Sequence, residues 1–194
     1  TSAEKASLAD PKDKLRVFTA VQEAGEMIVN DDYAAAARTL ESALREDPKM
    51  PQALLMLGGA YSELGRNEKA KAQFDLVLKD DPKSVQALVG MASLLMKEGK
   101  TGEVVALCKR TLSLDAQNTQ AYALLGEVYT GQKNPAEALP YLEKAVKVQP
   151  KLTQNRLNLA GCLIEVKQLA RAEALLKEII QDYPRFPLAQ FNLG

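Results

Sequence analysis

The chain has 194 residues, 46% of them apolar, and carries 25 basic and 25 acidic side chains, so its net charge is zero. That balance does not suit a surface built to neutralise phosphates, and neither nucleic acid nor an anionic membrane is expected as a partner. The absence of histidine removes the commonest general base and the usual zinc ligand. Cys108 and Cys162 are too few for a disulfide framework or a cysteine-only zinc site. No catalytic residue, cofactor or metal is therefore expected in this chain. The longest uncharged run, Ser84 to Met96, is too short to span a bilayer, and composition alone names no compartment. Thr1 is not an initiator methionine, so the chain is expected to be a processed or excised piece of a longer protein.

In chain order, residues 1–16 read as a lead-in. A first unit, 17–50, is marked by Tyr33, Ala36, Leu40, Ala43 and Pro48. The second, 51–84, shows the pattern most clearly. Leu54, Leu57, Gly58 and Tyr61 recur at helical spacing, and Gly65 ends the run. A second amphipathic segment, about 68–80, carries Ala70, Phe74 and Val77 on one face. Asp81-Pro82 stops it, because the residue before proline is pushed out of the α region. The third unit, 85–118, departs most, with Val104, Cys108 and Ala116 in the columns of Ala70, Phe74 and Pro82, and is expected to be the least stable. The fourth, 119–152, restores Leu125-Gly126, Tyr129, Ala138, Leu142 and Pro150, and Asn134-Pro135 is a strong helix start. The fifth, 153–186, runs through Leu159-Ala160, Leu163, Ala172 and Leu176 to Pro184. Residues 187–194 begin a sixth first helix and stop at Leu193-Gly194.

Five columns thus share one period of 34 residues. Small residues at 58, 92, 126 and 160 let the first helix of each pair approach its neighbours, while Tyr61, Tyr129 and Phe74 fill the space between. One helix pair cannot bury its own apolar face, so the units must stack. The fold class expected is all-α.

The columns Leu57-Gly58…Tyr61…Ala70…Phe74…Pro82 and Leu125-Gly126…Tyr129…Ala138…Pro150 resemble the tetratricopeptide repeat family. The resemblance covers 17–186 and implies a right-handed α–α superhelix of helix-turn-helix repeats. It also implies a concave groove, lined by the first helices, that binds a peptide or protein segment. Groove positions by this analogy are Gln52, Leu55, Met56, Gln86, Val89, Gln120, Ala123, Leu124, Gln154, Leu157, Asn158 and Asn192. The four glutamines recur at the second position of successive units, where each amide offers a donor and an acceptor, though a solvated helix edge would read the same way. Asn158 and Asn192, one repeat apart, are similar to the start of the asparagine ladder in the repeat arm of O-GlcNAc transferase. The clamp that chaperone-binding members use for acidic tails has no match, because Leu55, Gly59, Gly90, Gln120 and Leu124 stand at its positions.

Two further readings belong to other classes. Residues 8–28 look like the junction before repeat arms in some bacterial sulfatase-like proteins, which would make the chain an accessory arm of a larger enzyme. The incomplete unit at Leu188–Gly194 would allow self-association through an open end. Gly99-Lys100-Thr101 lacks the earlier glycine of a phosphate loop, since Leu94 stands there, and reads as a turn between helices.

Overall fold

A computed structural model describes residues 11–182, which form helices joined by short turns. Pro184 and the incomplete unit at 187–194, with Asn192, lie outside the described residues. In chain order the helices are α1 (Pro11–Val29), α2 (Tyr33–Glu46), α3 (Pro51–Glu63), α4 (Asn67–Asp80), α5 (Val85–Lys97), α6 (Thr101–Leu114), α7 (Thr119–Gly131), α8 (Pro135–Val148), α9 (Thr153–Glu165) and α10 (Leu169–Asp182). The chain divides into two compact units, the first ending at Leu94 and the second beginning at Leu95.

Two alternating turn chemistries produce the helix rhythm. The turn inside each pair needs one residue in the left-handed region, and that residue recurs every 34 positions: Asp31, Gly65, Gly99, Lys133 and Lys167, with φ between 57° and 73°. Glycine adopts this conformation without steric cost, whereas the aspartate and the two lysines hold it at some expense. Gly99-Lys100-Thr101 is such a turn, with Lys100 at the start of α6. Three of the turns between pairs are closed by an aspartate that follows the second helix, and the turn after α8 has Gln149 in that place. Asp47, Asp81 and Asp115 each cap the helix through the backbone N–H. Each also accepts, through its side chain, from the N–H two residues on: Lys49, Lys83 and Gln117. Asn118 and Asn134 cap α7 and α8 through Ala121 N–H and Glu137 N–H, as their positions predict.

In the first unit α1 packs on α2, α2 on α3 and α3 on α4, and α1 also touches α3. Phe74 of α4 is the central wedge. A Cβ built on Gly58 would lie 2.7 Å from its ring, and one built on Gly90 would lie 2.6 Å from it, so the ring sits directly against both helix backbones. Leu54, Val77 and Ala87 continue the same core, with Leu44, Leu55 and Leu78 packed beside them. Tyr61 is buried and donates its hydroxyl to the Glu41 carboxylate across the α2–α3 interface. Burial, with Glu41 as the second cause, pushes the Tyr61 phenol up to about 12.

In the second unit α6 packs on α7, α7 on α8, α8 on α9 and α9 on α10. Leu142 of α8 takes the place of the phenylalanine wedge and fits against Gly126 of α7. Ala138, Leu142, Leu159, Cys162, Leu163 and Ala172 form its core, and the rings of Tyr129 and Tyr141 stack beside it at 5.6 Å. Pro140 stands inside α8, where it removes one helical hydrogen bond but leaves the helix continuous on its exposed side.

Candidate functional site

The expected groove residues fall on the first helices α3, α5, α7 and α9, and their surroundings differ. Gln52, Gln86, Gln120 and Gln154 are exposed, whereas Leu55, Met56, Ala123, Leu157 and Asn158 are half-buried. Val89 and Leu124 are buried, at 6% and 8% exposure, and present no surface to a ligand. The reason is the helix packing: a first helix touches neighbours on two sides, which leaves only a narrow strip free. Gln154 donates through Nε2 to Asn158 Oδ1 at 2.8 Å, so these two groove residues are joined along one turn of α9.

Within the first unit, Gln52 and Met56 share a hollow of about 840 Å³ with Phe18, Val21, Gln22, Gly25, Glu26, Val29, Asn30 and Met50. Phe18 and Val29 line it while 54% and 83% exposed. Contributions from α1 went unrecognised in the sequence because the leading helix keeps only the small residue of the repeat, the buried Ala24, while Glu23 and Met27 stand in the columns of Leu57 and Tyr61. Exposed apolar side chains at Phe18 and Val29, with Val21 and Gly25 between them at spacings of three to four, are the available signal.

Within the second unit, Gln120 and Ala123 line a more polar cavity of about 590 Å³ at the starts of α7 and α9, together with Asp115, Asn118, Gln149, Leu152 and Asn155. Two of the residues near it depart from their columns. Arg156 occupies the column of Leu54, Leu88 and Tyr122 yet is buried, donating from Nη1 to Asp182 Oδ2 at 2.7 Å, with Nη2 3.5 Å from Glu178 Oε2. Asp182 and Glu178, four residues apart on α10, mark this pair in the sequence only when read against Arg156. Asn155 occupies the column of Ala53, Ala87 and Ala121.

Both thiols are core groups. Cys108 is fully buried, and burial pushes its thiol from 9.0 to about 11. Cys162 donates to the Pro135 carbonyl at 3.2 Å, and burial, followed by Glu165 and Glu143, pushes it up as well. In the unfolded chain a thiol loses its proton near 9.0, while folded Cys108 keeps its own to about 11. This contribution to stability is complete below pH 9.0 and is lost as pH rises toward 11. Native protein should therefore resist a thiol-specific reagent at mildly alkaline pH and react fully in denaturant, and Cys108→Ala should flatten the alkaline decline of the melting temperature. Rapid labelling of Cys108 in the native chain would contradict this assignment.

Among the described residues, no group of three histidine, cysteine, aspartate or glutamate side chains is placed to hold a metal ion, and no helix is long and apolar enough to cross a membrane. Helix pairs repeating at one period, with small residues seating large ones between them, define a helical-repeat protein. A family model for the tetratricopeptide repeat matches residues 29–94 and 129–190, more than half of the chain, and the chain belongs to that family. Such domains mediate protein–protein interactions and are typically non-catalytic.

Solved structures agree on the fold. The thermophilic TPR protein TTC0263 of Thermus thermophilus superposes with a TM-score of 0.78 at 16% identity, covering 91% of this chain and 96% of its own. PilF of Pseudomonas aeruginosa gives 0.77 at 18%, covering 88% and 78%. YrrB, a TPR protein with an unusual peptide-binding site, gives 0.61 at 17%, covering 89% of each. Curated proteins returned no match. The likeness of residues 8–28 to a sulfatase-linked junction gains no support from these matches.

Proposed function

We propose that this chain is a non-catalytic scaffold that holds a peptide or protein segment against the free strip of its first helices. The supporting observation is the hollow between α1 and α3, where exposed Phe18 and Val29 stand beside Gln52 and Met56. An apolar floor with amides at its edge suits a segment that inserts apolar side chains and is oriented by polar contacts to its main chain. By analogy with the family, Leu55 and Gln86 in the first unit, and Gln120, Ala123, Gln154, Leu157 and Asn158 in the second, are further contact positions within their own units, and Val89 and Leu124 are left out. The repeat division 17–50, 51–84, 85–118, 119–152 and 153–186 belongs to this proposal, each unit supplying one first helix.

Peptides selected from a displayed library against the whole chain provide the test. Phe18→Glu with Met56→Glu places two carboxylates in the hollow and should weaken the selected peptides at least about tenfold, a loss of ~1.4 kcal/mol. Circular dichroism should remain that of the folded protein, because Phe18 and Met56 are not core residues. Unchanged affinity in the double variant, with the peptides still competing among themselves, would refute binding at this hollow.

A further inference from the structure

In three units the third residue of the first helix is an alanine with no exposure at all: Ala53, Ala87 and Ala121. In α9 that place is taken by Asn155, which is only 3% exposed, and its Nδ2 has no hydrogen-bond partner. An unsatisfied buried amide costs stability, and the alanine used elsewhere in the repeat would avoid the cost. Two polar side chains on the same wall, Asp115 and Asn118, are already engaged. Asp115 accepts from Gln117 N–H through Oδ1 and from Asn118 Nδ2 through Oδ2, while Asn118 Oδ1 accepts from Ala121 N–H. Asn155 Nδ2 is thus a buried, unengaged donor on the wall of the cavity at the starts of α7 and α9.

We infer that Asn155 is a binding residue, donating from Nδ2 to an uncharged amide carbonyl that a partner chain inserts into this cavity. A donor requires an acceptor, and the first turns of α7 and α9 favour the negative end of a carbonyl dipole. A carboxylate is the other strong acceptor, but the Asp115 carboxylate on the same wall repels it. Exposed Gln149 and Leu152 at the rim leave the cavity open to an incoming segment. The carbonyl belongs either to the partner's main chain or to an Asn or Gln side chain. This inference rests on the scaffold reading and adds to it a chemistry and a residue.

The test is a titration of the whole nitrogen-15-labelled chain with N-methylacetamide, a surrogate for one peptide bond, with acetamide, a surrogate for an amide side chain, and with acetate. The Asn155 side-chain NH2 signals are identified by their loss in Asn155→Ala. A saturable shift of those signals with an amide, and none with acetate, is the expected result, and the tighter amide identifies the source of the carbonyl. Asn155→Ala should bind that amide at least about tenfold more weakly and melt ~2–4 °C higher, since it removes the unpaired group. Absence of a saturable shift with either amide would mean that the cavity holds only water, and would overturn the inference. A lower melting temperature in Asn155→Ala would overturn it too, by showing that the amide is held for structure. Because the probes report on Asn155 alone, this failure is separable from failure of the peptide test at Phe18 and Met56.

Discussion

Phe74→Ala should lower stability by about 4 kcal/mol, the middle of the range for loss of a buried ring, and the melting temperature by roughly 8–16 °C. The size of the loss follows from what surrounds the ring. Phe74 is 3% exposed, and two of its neighbours are Gly58 and Gly90, which have no side chains to move into the vacated space. The cavity therefore stays open, and its cost adds to the lost transfer free energy. One repeat later the columns of Phe74 and Gly90 hold Cys108 and Leu124, both buried. The family template allows either a large residue in the second helix with a small one in the next first helix, or the reverse. Transplanting the second arrangement makes this exchange testable. Phe74→Cys alone and Gly90→Leu alone should each destabilise, the latter because even a Cβ at Gly90 would lie 2.6 Å from the ring. The double variant should recover at least ~1–2 kcal/mol relative to the sum of the single losses. Strictly additive losses in a urea-denaturation cycle would show that the two positions do not share one volume.

Gly126→Val should cost about 3 kcal/mol, in the upper part of the range for overpacking a filled core. A Cβ at Gly126 would stand 2.6 Å from Leu142 Cγ, the branch point of a side chain that is 1% exposed and enclosed by its own cluster. Because the clash involves the branch point and not only a terminal methyl, Leu142 cannot relieve it by turning its end. The control lies on α9, where Gly161 is exposed and a Cβ would meet nothing within 4 Å. Gly161→Ala should raise stability by ~0.5–1 kcal/mol through helix propensity alone. Opposite signs at two helical glycines in one unit would separate close approach from backbone entropy. A Gly126→Val variant as stable as the wild type would remove the packing argument for that column.

The repeat period, the all-α class and the tetratricopeptide family were legible from the sequence alone because their signals are local. Capping by Asn118 and Asn134, arrest of the helices at Asp47-Pro48 and Asp81-Pro82, and the i, i+3, i+4 recurrence of small and large residues each act within one or two helical turns. What required tertiary structure depends on neighbours more than a turn away. In the sequence Gly90 is only a mismatch to the acidic-tail clamp, and its contact with Phe74 shows that it seats a ring. Val89 and Leu124 lie on the expected groove face by spacing but are covered by adjacent helices. Asp31, Lys133 and Lys167 share the left-handed turn of Gly65 and Gly99 without the residue type that would announce it. A buried arginine at 156 and an unpaired amide at 155 become informative once α10 is seen to answer the first and nothing to answer the second. Periodicity along one chain determines which residues form helices and which face is apolar. Which part of that face stays open to a partner is decided by the volumes and hydrogen bonds that the neighbouring helices contribute.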